Sequence, residues 1–430
     1  MNATRAGLPT GGSVASREPP VWAVGAASAA YAALLGYLTI GDKRLALGAA
    51  LIGLLVGVVV GNLARLAVVA TAGVWLITRA PGNISVTDVL VALAGAAALA
   101  AGAAQTIHPR GRVVLRSFVF YLGTLSVTLA FNQSFRSDLE WFHRIAIVAG
   151  AVWAGAWLVS TGLHRLALRL LLAVTVVFAA FALVKGASSG FALPAQPLGY
   201  QKNFVGSIVA TVLLLLVAAP REFRLPGRVL VVTGVVLLGG LIATHSRGAM
   251  VAAAVGTLIW FFRDSGSATR GLRVAAIAAA IGIGIYAGIS VHAELNQKTY
   301  NSLTQRARIE HATHRLWIAH PLTGVGLRFF KTVKFAGYSP PNNVFDEILA
   351  EAGVIGLLGF VVFVVGALHG LGRLPGDLAT AGLCVVAARF VHGLFDIYWT
   401  GGTTTIAWVV AGMGLAAAAL TDRARPQAVT

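Results

Sequence analysis

Charge is scarce in this chain. Of its 430 residues only 11% are Asp, Glu, Lys or Arg, while 57% are hydrophobic, where soluble domains carry roughly a quarter charged and half apolar residues. That balance excludes a water-soluble globular fold, which would aggregate. Cysteine is nearly absent. Cys384 stands alone inside an apolar run, which excludes a disulfide framework, a CxxC pair and a thiolate metal site. Acids are fewer than half as common as bases, 15 against 33, for a net charge of +18. The bases sit in short turns between apolar blocks and not along one face, so topology accounts for them and nucleic acid is not an expected partner. Alternating ten-residue strands are missing, which excludes a β-barrel, the only other spanning solution for backbone polar groups.

What is present is a series of apolar blocks of roughly 17 to 22 residues, the length that crosses about 30 Å of hydrocarbon at 1.5 Å per residue. The expected fold is all-α: a polytopic transmembrane helical bundle of about 12–14 spans with a large outer loop carrying short helices. The spans are placed at 21–40, 45–61, 64–79, 86–107, 113–132, 142–160, 166–184, 203–219, 229–244, 248–262, 274–293, 346–368, 378–395 and 403–420. The corresponding domains are a disordered tail at 1–20, transmembrane helices at 21–293, an extracytoplasmic loop at 294–345, C-terminal transmembrane helices at 346–420 and a tail at 421–430. With the N-terminus in the cytoplasm, Arg110, Arg112, Arg116, Arg165, Arg169, Arg221, Arg224, Arg228, Arg263, Arg270, Arg273, Arg373, Arg423 and Arg425 fall inside, the positive-inside pattern. Both termini are then cytoplasmic in a multi-pass protein of the cytoplasmic (inner) membrane. Lys43, Lys185, Lys202, Lys298, Lys331 and Lys334 fall outside, against that rule, and need another reason.

The long connections are also outside: 133–141, 185–202 and 294–345. Most loops have roughly 2 to 6 residues, so a stretch of about fifty is functional or disordered. Trp317, Phe329, Phe330, Phe335 and Tyr338, with an amphipathic pattern over 303–319, point to a folded segment.

Four constellations map to this outer side. Thr244-His245-Ser246-Arg247-Gly248 turns between two apolar runs, and Arg247 there is either a snorkelling helix-end arginine or an anion-binding guanidinium. Gly199-Tyr200-Gln201-Lys202-Asn203 opens a span as either a phosphate cradle at a helix N-terminus or an interfacial Tyr/Lys anchor. Arg306, Arg308, His311, His314, Arg315 and His320 precede Pro321-Leu322-Thr323-Gly324-Val325-Gly326. Arg308, His311 and Arg315 share one helical face, which either converges on a ligand or is solvated; zinc-ligand spacing is missing and no metal is expected. Finally, Ser339-Pro340-Pro341-Asn342-Asn343 leads into Asp346, Glu347 and Glu351. The prolines and asparagines start and cap a helix, whereas Glu351, a turn into an apolar span, should be paired or functional. Arg389, His392 and Asp396 near the outer end of the thirteenth span can line the same cavity.

Together these segments resemble the O-antigen ligase/polymerase superfamily. The resemblance rests on Ser246-Arg247-Gly248-Ala249, the run from Arg308 to Trp317 into His320-Pro321-Leu322-Thr323-Gly324-Val325-Gly326, and Asn343-Val344-Phe345 with Ile348-Leu349-Ala350-Glu351-Ala352-Gly353-Val354-Ile355-Gly356, over about 200–365. It implies envelope polysaccharide assembly by an inverting, metal-independent glycosyltransferase without cofactors. The implied partners are a polyprenyl-diphosphate-linked glycan donor, a glycan or lipid acceptor and membrane lipids. On that template Arg247 and Arg308 would hold the diphosphate; the residues themselves add Lys202, and Asn203, Tyr200, Ser246, Arg315 and Glu351 are the further substrate-binding candidates. His311, His314, Asn342 and Asn343 complete the catalytic set. The family's usual His-Asn pair is Asn342-Asn343 here, and an amide takes no proton near neutral pH, so the base would be His311, His314, His245 or Glu347, or none. The other functional classes are a transporter or flippase of lipid-linked sugars and a noncatalytic member of an envelope assembly complex.

Overall fold

The structure is a computed structural model that describes residues 62–76, 79–80, 84–263, 274, 278, 281–282, 302–332, 340–399 and 401–424. The expected spans at 21–40 and 45–61, most of 274–293, the tail at 1–20, and Lys43, Lys298, Lys334, Phe335 and Tyr338 lie outside the described residues. The chain divides into Met1–Arg65 and one compact unit, Leu66–Thr430. Of the first, residues 62–65 are described, and there Asn62 Oδ1 accepts from the Ala64 N–H at 3.0 Å.

The described helices are α1 (Arg65–Ala72), α2 (Val86–Ala100), α3 (Arg112–Phe131), α4 (Phe135–Ile145), α5 (Ala151–Ser160), α6 (His164–Ser188), α7 (Lys202–Ala218), α8 (Pro220–Phe223), α9 (Gly227–Ala243), α10 (Arg247–Arg263), α11 (Ser302–Ala319), α12 (Phe329–Thr332), α13 (Val344–Gly372), α14 (Asp377–His392) and α15 (Thr403–Ala424). Among the described residues, extended backbone pairs only Arg79–Ala80 with Ile84–Ser85. The fold is all-α. Among the described residues, five helical segments are long and apolar enough to cross a membrane: Pro109–Phe131, Phe135–Ser160, His164–Ser188, Val344–Gly372 and Thr403–Arg423. Arg65–Trp75, Val86–Ala100, Lys202–Ala218 and Gly227–Ala243 are shorter apolar helices. Among the described residues, the apolar blocks at 113–132, 166–184, 203–219 and 229–244 recur as α3, α6, α7 and α9 within a few residues.

One boundary differs in kind. Residues 133–141, expected as a loop, begin a span: Ser134 Oγ accepts from the Ser137 N–H at 3.2 Å to cap α4, and a π-turn over Ala146–Gly150 joins α4 to α5. Polar residues such as Arg136, Asp138 and Glu140 make this stretch read as loop, yet Glu140 is buried, as are His143 and Arg144 just beyond it, because they meet charges from elsewhere in the fold.

Small residues set the packing. Between α5 and α15, a Cβ on Gly155 would lie 2.0 Å from the Val409 carbonyl oxygen and one on Gly412 2.1 Å from that of Val152, so the two backbones nearly touch, as membrane helices without a hydrophobic drive between them require. The α3 and α13 helices form another pair. α13 breaks at Gly353, with φ 66° and ψ −168°. At that break the segment 321–326 replaces the lost helical hydrogen bonds: Val354 N–H donates to the Pro321 carbonyl at 2.9 Å, Val325 N–H to that of Ala350 at 2.9 Å and Gly326 N–H to that of Glu351 at 3.0 Å. The Pro-Leu-Thr-Gly-Val-Gly motif is therefore a backbone clasp on α13.

Candidate functional site

Two charged assemblies occupy the bundle. The first is interior. Glu140, 0% exposed, faces Lys331 Nζ at 3.1 Å, Arg328 Nη1 at 3.3 Å and Arg144 Nε at 3.4 Å. Arg144 reaches Glu351 Oε2 at 3.4 Å, donates to the Tyr121 hydroxyl at 2.5 Å and lies 4.4 Å from the Trp399 ring centroid. His143 Nε2 stands 3.3 Å from Asp88 Oδ2, the same carboxylate that accepts from the Ser85 N–H at 2.8 Å in the capping box of α2. Glu351, 1% exposed, also accepts from the Phe330 N–H at 3.4 Å. This network ties α12 and the clasp to α3, α4 and α13. It accounts for Lys331, one of the lysines against the topological rule, by its acidic partner. Arg144 and Arg328 are both buried, and buried charges persist only when paired.

The second assembly lies at the end of the bundle where α7, α10 and α13 begin and α14 ends. Ser246 Oγ donates to Asn203 Oδ1 at 3.1 Å, and the Asn203 side chain also hydrogen-bonds Asp396. Asp396 Oδ2 is 4.0 Å from His392 Nε2. A Cβ on Gly248 would be 3.3 Å from His392 Cδ2, so the first turn of α10, with Arg247 at its head, lies against the end of α14. Arg306 of α11 is within electrostatic reach of both His392 and Asp396, and Lys202 within that of His245. Lys202 of α7, Arg247 at the head of α10 and Arg306 of α11 thus belong to elements that come together near one polar patch, where the N-termini of α7 and α10 add their own positive potential.

Buried Arg389 fixes the floor. It donates to the Ile397 carbonyl at 2.9 Å, to Thr404 Oγ1 at 3.1 Å and to the Tyr398 carbonyl, and its Nη1 meets His392 Nδ1 at 2.8 Å. A guanidinium only donates, so His392 Nδ1 accepts and the ring proton is on Nε2, toward Asp396. Burial pushes the Asp396 carboxyl above its ordinary range, opposed by the Arg389 guanidinium. Burial, with the Lys202 ammonium, holds the His245 imidazole below its ordinary value of 6.5. The chemistry on offer is the binding of an anion with several oxygens, by forked guanidinium and ammonium donors.

The remaining expected residues separate. Tyr200 spends its hydroxyl on the Trp75 carbonyl at 2.8 Å and stacks 5.6 Å from Phe204, so it anchors the turn before α7. Asn343 caps α13, its Oδ1 accepting from the Phe345 N–H at 3.0 Å; Asn342 precedes it, part-buried. Arg308, His311, His314 and Arg315 are all exposed on α11. His311 and His314 line a cleft of about 290 Å³ against α13 with Glu310, Trp317 and Asp346, whereas Arg308 and Arg315 stand outside it. Arg306, one turn before Glu310, is the loop arginine that faces the patch; its alternation with Arg308 along a helix was the signal that separates the two. Glu140, Arg144 and Arg328 carry no motif, and only the i, i+3, i+4 spacing of Glu140, His143 and Arg144 hinted at a shared buried face.

Residues 232–361 match the family model described as O-antigen ligase, inside the stretch on which the sequence resemblance to the O-antigen ligase/polymerase superfamily rests. No curated protein matches the chain. The matched segment runs from α9 through the clasp to the middle of α13, and so contains Ser246, Arg247, Arg306 and the α11 cleft. The O-antigen ligase domain and the apolar helices connect the chain with envelope glycan assembly by a multi-pass membrane protein.

Proposed function

We propose that the protein transfers or polymerises glycan from a polyprenyl-diphosphate-linked donor on the outer face of the cytoplasmic membrane, gripping the diphosphate between Lys202, Arg247 and Arg306. The single observation that supports this reading is that α7, α10 and α14 come together at Asn203, Ser246, Gly248 and His392, with Lys202 and Arg306 close enough to act on His245 and His392 and Arg247 between Ser246 and Gly248. A diphosphate leaving group gains negative charge as its bond to the sugar breaks, and fixed cations in a site partly shielded from water stabilise that charge without reorganising. The exposed guanidinium groups of Arg308 and Arg315 form a positive rim that attracts the anionic donor. Glu351 acts from behind, holding Arg144 and α12 and thereby the clasp.

The test is turnover of lipid-linked glycan, extracted from cells lacking the gene, by the purified protein in liposomes. Arg247→Ala is expected to lower transfer by at least about 100-fold, the loss of roughly 3 kcal/mol typical of a transition-state charge donor, and Arg306→Ala by more than Arg308→Ala. Normal transfer by Arg247→Ala removes the assignment. Flipping of donor across the bilayer with no new glycosidic bond would instead make the protein a transporter.

A further inference from the structure

The cleft between α11 and α13 is not used by the diphosphate site, yet it adjoins it. Arg306 and Glu310 are four residues apart on α11, about 6 Å along the axis, so the patch and the cleft are neighbours on one helix. On the α13 side the Val344 N–H donates to the Gly393 carbonyl at 2.8 Å, which sets the first turn of α13, with Asp346, against the turn that carries Asp396. The lining is Ala307, Glu310, His311, Thr313, His314 and Trp317 from α11 with Asp346 and Leu349 from α13.

That lining has the character of a carbohydrate site. Trp317 supplies an apolar ring, tilted against His314 at a centroid distance of 4.9 Å. Its indole Nε1 is buried with no hydrogen-bond partner among the described residues. Asp346 and Glu310 face each other closely enough to interact electrostatically, with His314 and a hydrogen bond from Asn343 acting on Asp346 as well. Carboxylates accept from sugar hydroxyls, and the volume of about 290 Å³ lies at the small end of ligand pockets, room for a sugar ring.

We propose that this cleft receives the acceptor sugar and that Asp346, with Glu310 opposite, removes the proton from its attacking hydroxyl. This rests on the transferase reading above. In the step, the hydroxyl O–H proton passes to the Asp346 carboxylate and the hydroxyl oxygen bonds to the anomeric carbon of the donor. The anomeric carbon–oxygen bond to the diphosphate breaks, and its electron pair departs with the diphosphate held by Lys202, Arg247 and Arg306. Asn342 and Asn343 cannot take that proton, whereas a carboxylate one turn further along the same helix start can.

Azide separates a base from a structural carboxylate, because it is already an anion and attacks without losing a proton. With extracted lipid-linked glycan in liposomes, Asp346→Asn is expected to lower transfer to the sugar acceptor at least about 100-fold. Donor consumption to glycosyl azide should stay within about threefold of wild type, with Asp346→Glu recovering part of the transfer. Trp317→Ala should raise KM for the acceptor without changing azide consumption. If Asp346→Asn transfers at the wild-type rate, or loses azide consumption in parallel with transfer, Asp346 is not the base and the proposal falls. If wild type itself consumes no donor with either nucleophile, the transferase reading fails first.

Discussion

Glu140 is the residue on which the interior charges converge. Its carboxylate has cations from α4, α12 and the residue before α12 within 3.1 to 3.4 Å, a concentration that compensates for complete burial. At the far end of the bundle Glu222 shows the solvent-accessible counterpart of the same principle. A hydrogen bond from His164 Nε2 at 3.2 Å, opposed by burial and reinforced by Arg165 Nε at 3.0 Å, holds its carboxyl below the ordinary 4.5. A carboxylate depressed in the folded state adds stability that is fully present above its unfolded value and is lost as pH falls through the folded one. Glu222→Gln should therefore lower the unfolding temperature in detergent by a constant amount above pH 4.5, and the gap to wild type should close at more acidic pH. A gap that is flat down to acid would show that Glu222 contributes by packing alone.

At the scale of elements, the break in α13 decides where the large loop goes. An unbroken helix has no free carbonyls at Ala350 and Glu351 for the clasp to use, and the φ 66°, ψ −168° of Gly353 belongs to a region open essentially to glycine alone. A Cβ there would also lie 2.2 Å from the Leu322 carbonyl carbon. Gly353→Ala is expected to cost about 1–3 kcal/mol from backbone strain, with the clash in addition, and to lower both the unfolding temperature and the amount of protein that accumulates in the membrane. An unchanged unfolding temperature would mean that α13 straightens without losing the clasp. By holding 321–326, the break also sets where α11 ends, and so which of its residues face α13.

At the scale of the whole molecule, cations gather at both ends of the bundle. Where α10 ends, Arg263 is spent on the Gly372 and Leu374 carbonyls and on Thr380 Oγ1, capping helices. At the other end Lys202, Arg247 and Arg306 belong to the elements that meet near Asn203, Ser246 and His392. The expected orientation sets the patch outside the cytoplasm. Cys384, 0% exposed and the sole cysteine, makes the wild type a silent background for cysteine labelling. A membrane-impermeant maleimide should label Arg308→Cys on intact spheroplasts but Arg373→Cys only after permeabilisation. Labelling of both from one side would overturn the two-ended arrangement, and the reverse pattern would invert the topology.

Helix positions were legible in the sequence because a spanning helix needs an uninterrupted apolar run, and that requirement is local; the spans at 113–132, 166–184 and 203–219 recur as α3, α6 and α7. The motifs around Arg247, His320 and Asn343 were likewise visible, and they sufficed to indicate the family. Which side chains meet was decided only by tertiary structure. Glu140 read as a loop acid until Lys331 and Arg328 closed on it from distant positions, and Pro321–Gly326 read as part of a motif with no stated role until Gly353 opened α13 beneath it. Arg306 and Arg308 are indistinguishable by composition, but they point to different surroundings because two residues along a helix turn a side chain by about 200°. Periodicity fixes such a face only relative to its own helix, whereas the direction it faces depends on what that helix packs against.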